Sequence, residues 1–203
     1  MWQWKPYKIS NSRYERSLER LFSKLFSERE SVRALDYGCG HGHRAERIVQ
    51  YLKPTVGPFL FDVDDDLLQR AIQRTGGQRW IPGKGRFDLI LCFGVLELLP
   101  RPARAKVLEL FADCMNGDSV LAIQHPNWRP LAARTIYWWF RSLSRRNTFA
   151  SAARTHAEMR FKRDYGGLSA LLGDIRQAGL TVTDRILGPY VRSVYLPLPA
   201  SVR

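Results

Sequence analysis

The chain has 203 residues, 45% hydrophobic and 12% aromatic, which suits one domain with a full core and excludes a disordered segment. No apolar run approaches the roughly 18 residues of a membrane span. MWQWKPYKIS lacks the long apolar stretch of a secretory signal, so a cytoplasmic protein is expected. The formal charge of +13 favours anionic partners: phosphate groups, nucleic acid or an acidic membrane face. Cys39, Cys92 and Cys114 are an odd set with no CxxC or Cys/His cluster, which reads as free thiols in a reducing compartment with no metal site.

Trp2, Trp4 and Tyr7 form an aromatic arm ahead of a helix over 12–30, so that residues 1–30 make an N-terminal extension. In that helix Tyr14, Leu18, Leu21, Phe22 and Leu25 recur at helical spacing and define a buried stripe. VRALDY (32–37) reads as a fully buried strand. A helix follows Gly42, with Ala45, Ile48, Val49 and Leu52 apolar. FLFD (59–62) is a second strand. Asp64, Asp65 and Asp66 then crowd a helix start, where carboxylates accept from free N–H groups and oppose the dipole. Gly76-Gly77 ends that helix. RWI (79–81) is a short strand and FDLILCF (87–93) a clear buried one. A helix over 101–114 and the strand DSVLAIQH (118–125) come next.

A helical, aromatic and basic stretch follows from about 131 to 146, inside an insertion over 129–166. A last helix covers 167–178, closed by Gly179. LTVTDRIL and VRSVYL flank Gly188-Pro189 as two antiparallel strands. Strand–helix alternation with a terminal hairpin implies a single α/β domain over 1–203: a three-layer sandwich of a mostly parallel sheet with helices on both faces and a C-terminal antiparallel hairpin.

The chemistry concentrates after the first strand, in ALDYGCGHGHRAERI (34–48). Glycines permit sharp turns and let a ligand approach the main chain. In an open α/β sheet that loop borders the ligand crevice. The spacing is Gly38-x-Gly40-x-Gly42, with His43 where a dinucleotide fingerprint carries its third glycine. No GxxxxGK[ST] is present, and no Lys or Arg appears in the loop until Arg44. Asp36, at the end of the first strand, would repel a pyrophosphate and attract an ammonium or sulfonium. Asp62, at the end of the second strand and 20 residues after Gly42, stands where an acid accepts from ribose hydroxyls. These sites suit a nucleoside with a cationic, amino-acid-like tail, the form of S-adenosylmethionine.

The chain resembles a class I, Rossmann-like methyltransferase dependent on S-adenosylmethionine. ALDYGCGHG is similar to that family's first motif, FLFDVDDDLLQRA to its second with Ala71 at the small helix position, FDLILCFGVLELLP to the fourth-strand motif, DSVLAIQHPN to the fifth strand and RQAGLTV to the entry of the hairpin. The resemblance covers 31–196 and implies a seven-stranded sheet. It implies that Asp36, Tyr37, Gly38, Cys39, Gly40 and Gly42 hold the methionine end, that Asp62 binds the ribose, that Val63 lies beside the adenine and that Phe93 lines the sulfonium pocket. Two features depart from it: the short third strand has no acid for the adenine amino group, and Leu98 stands where many relatives carry histidine.

Methyl transfer from a sulfonium is an in-line displacement in which alignment supplies much of the rate. A base is needed only when the acceptor must lose a proton. His125, ending the fifth strand in QHPNW, is the candidate base, against a loop histidine bonding Asn127 or backbone. His156 could reach the site as part of a lid. His41 and His43, two apart, make a poor metal pair, and no metal is expected. A nucleophilic Cys39 is weighed against a small loop residue, and Glu97 at the crevice against polar packing.

The insertion sets Ile136, Tyr137, Trp138, Trp139 and Phe140 among many arginines. From Arg129 to Arg163 there are nine Arg or Lys against one acid, Glu158. It reads as a grip on an anionic membrane, as a nucleic-acid surface, or as a lid over the pocket. The favoured acceptor is a small molecule, lipid-like or carrying a negative group. A nucleic-acid methyltransferase and a non-catalytic binding protein of the same fold are the alternatives.

Overall fold

The apolar runs of this chain do not alternate with polar residues because both faces of the sheet are covered. The computed structural model describes residues 20, 22–52, 56–126, 167–187 and 192–199. The elements are β1 (Ala34–Tyr37), α1 (His43–Leu52), β2 (Phe59–Phe61), α2 (Asp65–Thr75), β3 (Gln78–Arg79), β4 (Phe87–Phe93), a 3-10 turn (Leu96–Leu98), α3 (Arg101–Asp113), β5 (Met115–Pro126) and α4 (Gly167–Gln177). Two extended segments follow, β6 (Leu180–Leu187) and β7 (Arg192–Pro199). Strands β3, β2, β1, β4 and β5 pair in that order, all parallel. The arm at Trp2, Trp4 and Tyr7 and the insertion 129–166 with His156 lie outside the described residues.

Period-two side-chain direction sorts the core. Leu35, Ile90, Cys92, Leu121 and Ile123 pack with Leu108 and Phe111 of α3 and Leu171 and Ile175 of α4. Their neighbours along the strands, Ala34, Leu89, Leu91, Val120 and Ala122, pack on the other face with Phe22, Phe26 and Val32. Leu60 is covered on that second face by Ala45 of α1 and by Leu68 and Ala71 of α2. The result is an α/β fold with helices on both faces of a parallel sheet.

Local chemistry sets the element ends. Asp64 caps α2, its Oδ1 accepting from the N–H groups of Asp66 at 3.0 Å and Leu67 at 3.1 Å. Gly76 closes the helix in the left-handed region at φ 65°, its N–H donating to the Ile72 carbonyl. The N-terminal helix stops earlier than its periodicity predicts. Residues 22–25 are helical and a turn follows. Phe26, held by its N–H on the Phe22 carbonyl, is buried in place of the expected Leu25, which is 41% exposed. Phe22 and Phe26, four apart, share one helical face. Tyr14, Leu18 and Leu21 of that stripe lie outside the described residues.

One buried polar contact ties the two helices of the α3/α4 layer. Arg104 lies on the inward stripe of α3 with Leu108 and Phe111, and Asp174 lies on that of α4. Both are buried. The Arg104 Nε donates to Asp174 Oδ2 at 2.8 Å, and Arg101 Nε donates to Oδ1 at 3.0 Å. Removing one member of such a pair strands a charge in the interior. Asp174→Ala should therefore lower the unfolding free energy by about 3–5 kcal/mol in a denaturant titration, far more than a solvated ion pair such as Arg79–Asp65 would lose on truncation.

Candidate functional site

Reversal of strand order between β1 and β4 opens a crevice beyond their carboxyl ends. Tyr37 pairs with Cys92, so the loops after β1 and β4 leave the sheet side by side. They touch: a Cβ on Gly38 would meet Val95 Cγ2 at 2.1 Å. The glycine loop is pinned from below, where Gly38 and Cys39 N–H groups donate to the Phe61 carbonyl at 2.7 and 3.0 Å. It is pinned from the side by Asp62, whose Oδ2 accepts from Gly40 N–H at 2.7 Å while Oδ1 accepts from Asp64 N–H at 3.0 Å.

The three glycines, all at positive φ, are bare for different reasons. Gly42 lies against α2, and a Cβ there would come within 2.7 Å of the Ala71 Cα. That contact explains the small residue at 71. Gly38 makes room for Val95. Only Gly40 of the three has nothing within 4 Å of its would-be Cβ, so its face is open to a ligand.

Asp36 stands on the same sheet face as Leu60, with which it pairs. It is 3% exposed, and its Oδ2 has no hydrogen-bond partner among the described residues. Burial pushes its carboxyl up to about 7, opposed by the Arg44 guanidinium and reinforced by Asp62. An orphaned buried carboxylate is a costly group whose missing partner is a cation or donor. Phe93, two residues beyond the Leu91 that pairs with Asp36, is half-buried, with the Arg44 guanidinium carbon 4.8 Å from its ring centroid. Val63, next to Asp62, is 92% exposed, an apolar surface beside the second strand end.

Other expected residues are placed differently. The Tyr37 ring is on the opposite face, stacked on Phe61 at 4.7 Å and edge-on to Phe111 at 5.0 Å, so only its main chain borders the crevice. Cys39 is buried, and desolvation, with Asp36 and Asp62 next, pushes its thiol up to about 12, which opposes thiolate formation at neutral pH. His41 and His43 line an open cleft of about 640 Å³ with Glu46, Arg70, Gln73 and Arg74, which includes none of Asp36, Asp62 or Phe93. Glu97 stands by the β4 loop, its Oε1 3.7 Å from the would-be Cβ of Gly94. Strand β5 runs through His125, whose side chain lies outside the described part. In the sequence Val95 is an ordinary apolar residue of the pattern, and Arg44 stands out only as the first cation after the loop.

A family model described as a methyltransferase domain matches residues 8–162, more than half of the chain. The chain belongs to this methyltransferase family. A trans-aconitate 2-methyltransferase of Rhizobium rhizogenes is 31% identical over 103 residues, 47% of this chain and 39% of that protein; the match thus spans well under half of the relative's length. The fold is shared with a TehB-like S-adenosylmethionine-dependent methyltransferase of Corynebacterium glutamicum (TM-score 0.58, 15% identity, 93% of this chain and 97% of that one). It is also shared with the N-methyltransferase NodS of Bradyrhizobium japonicum (TM-score 0.59, 16% identity, 93% and 98%), which has also been solved with S-adenosyl-L-homocysteine. The cofactor of this methyltransferase family is S-adenosylmethionine, and the crevice fits it: the unpartnered Asp36 oxygen lacks a cation, and the Gly40 face has the room.

The two kinds of glycine separate experimentally. Gly40→Ala should lose about 1–2 kcal/mol of stability, the strain of a left-handed alanine. Gly42→Ala should lose about 1–3 kcal/mol more, because its methyl meets α2 backbone. Chemical denaturation of the two variants measures both.

Proposed function

We propose that this chain transfers a methyl group from S-adenosylmethionine to a small-molecule acceptor carrying a negative group. The observation that carries this reading is the buried Asp36 carboxylate, unpartnered among the described residues, just ahead of a glycine loop whose Gly40 face is open. When bound, the cofactor supplies a methyl on a positively charged sulfur, already activated for displacement. Asp36 seats the ammonium of its tail, with the main chain of Tyr37 and Cys39 and of Gly38, Gly40 and Gly42 alongside. Asp62 accepts from the ribose hydroxyls; a carboxylate has about four lone-pair sites, two of them used on Gly40 and Asp64. Val63 covers the adenine and Phe93 borders the sulfur. His125 takes a proton where the acceptor is a hydroxyl or amine; an ionised carboxylate acceptor has none to lose.

The acceptor class rests on two supports. A relative over part of its length is named for trans-aconitate, a polyanion, and the basic stretch 129–163 supplies cationic charge. In this reading the chain is one cytoplasmic domain, with residues 1–30 as an N-terminal extension and the basic, aromatic insertion 129–166 as the part that meets the acceptor or an anionic membrane. Among the described residues no helix is long and apolar enough to cross one. The sheet is completed to seven strands by an antiparallel C-terminal hairpin; the backbone register of Ile123 with Tyr195 and of Leu180 with Pro199 supports this. Nucleic acid as acceptor is the second reading, favoured by the +13 charge.

Calorimetry with S-adenosylhomocysteine tests the site. Asp62→Ala should bind at least tenfold more weakly, about 1.4 kcal/mol, and the 2′,3′-dideoxy analogue should be nearly indifferent to the change. Unchanged affinity contradicts the ribose assignment, and equal loss for both compounds confines Asp62 to bracing the loop. Transfer of labelled methyl into an acidic-metabolite pool is the expected activity; label entering RNA alone supports the second reading.

A further inference from the structure

The cleft beside α2 collects groups that methyl transfer does not use. His41 and His43 flank Gly42, and Gly42 is where the glycine loop meets α2, its would-be Cβ 2.7 Å from the Ala71 Cα. That approach fixes the neighbourhood. Arg70 precedes Ala71 in the chain, and Arg74 lies one helical turn beyond Arg70 on the same face. Two imidazoles from the loop and the start of α1 therefore share one cleft with two guanidiniums from α2, with Gln73 and Glu46 completing its lining. The two rings stand edge-on, their centroids 6.2 Å apart.

The balance of charge is positive. Glu46 is the one acid of the lining, and Arg74 Nη1 holds its Oε2 at 3.3 Å. Arg70 is exposed and forms no ion pair among the described residues. Two arginines against one glutamate leave a cationic surface even with both imidazoles neutral. Burial, and then the Arg74 guanidinium, hold the His43 imidazole below its ordinary 6.5; His41 and Arg47 act in the same direction and Glu46 against it. An anion seated among these groups relieves their mutual repulsion and favours the charged imidazole.

Size and surroundings define the anion. Guanidinium forks, an amide and ring N–H groups reach the cleft from two elements, which suits a group with several acceptor oxygens and more than one negative charge. A volume of about 640 Å³ lies in the range of small-ligand pockets and exceeds what a lone phosphate fills. A long polyanion is poorly served, because Asp64, Asp65 and Asp66 stand at the start of α2, one turn ahead of Arg70. We propose that this cleft, built by His41, His43, Arg70 and Arg74, binds the phosphate group of a phosphorylated small molecule at a site separate from the cofactor crevice.

Backbone amide shifts of the whole chain, followed at fixed ionic strength with inorganic pyrophosphate as the probe, test this. Saturable shifts should centre on residues 41–46 and 70–74. Arg70→Ala should weaken the probe about fivefold, as expected for one exposed charged contact, with an unchanged denaturation midpoint. Lys106→Ala, which removes an exposed cation of α3, should leave affinity unchanged. Sulfate, a dianion throughout, should bind more tightly at pH 5.5 than at pH 7.5, and His43→Asn should reduce that difference. Three results would each overturn the proposal. One is equal affinity in Arg70→Ala and the parent, which reduces binding to general attraction by a basic chain. Another is shifts centred on Gly40 and Asp62, which places the anion in the cofactor crevice. The third is an RNA oligonucleotide that moves the same residues and binds far more tightly than pyrophosphate, which assigns the cleft to a polymer.

Discussion

The site depends on one desolvated carboxyl. Asp36 lies on β1 between Leu60 of β2 and Leu91 of β4, buried, with an oxygen that has no hydrogen-bond partner among the described residues. Burial raises its proton affinity, so above about pH 7 the folded chain carries an ionised group in a poor environment. That cost is released as pH falls through 7 toward the unfolded value of 3.8. A chain shaped for stability alone would place Asn or an apolar residue there. The carboxyl makes sense as half of an interaction that a cationic ligand completes.

The surrounding structure sets this group near the carboxyl ends of the strands. Parallel pairing brings the ends of β1, β2 and β4 level, and the switch in strand order leaves a gap above them. Gly38 and Gly42 let the loop lie flat against Val95 and Ala71. Asp62 fastens Gly40 from the side. The loop is therefore preorganised by the protein before any ligand arrives, which reduces the ordering cost of binding. At the opposite edge Arg29 joins Asp88 and Asp118, anchoring the N-terminal segment away from the chemistry.

Much of this was legible in the residues. FDLILCF announced β4 at its observed bounds, because a strand covered on both faces has no polar alternation. Asp64 and Gly76 marked the ends of α2 because capping is local chemistry. Tertiary choices were not legible. Arg104 reads as a polar helix residue, and its buried partner Asp174 stands 70 positions away. A GxGxG pattern says that glycines are needed without saying which face the protein and which the ligand. Tyr37 looked like part of the loop, yet period-two geometry turns its ring into the aromatic core. Leu25 and Phe26 are equally apolar, and the early end of the helix decided between them.

Proton linkage on cofactor binding tests the role of Asp36 most directly. Heats of S-adenosylhomocysteine binding at pH 7, taken in buffers of different ionisation enthalpy, give the number of protons exchanged. With a carboxyl near half protonation in the free chain and ionised against the bound ammonium, the parent should release roughly half a proton, and Asp36→Asn should lose that release. No release from the parent, or the same release from both chains, would contradict the account.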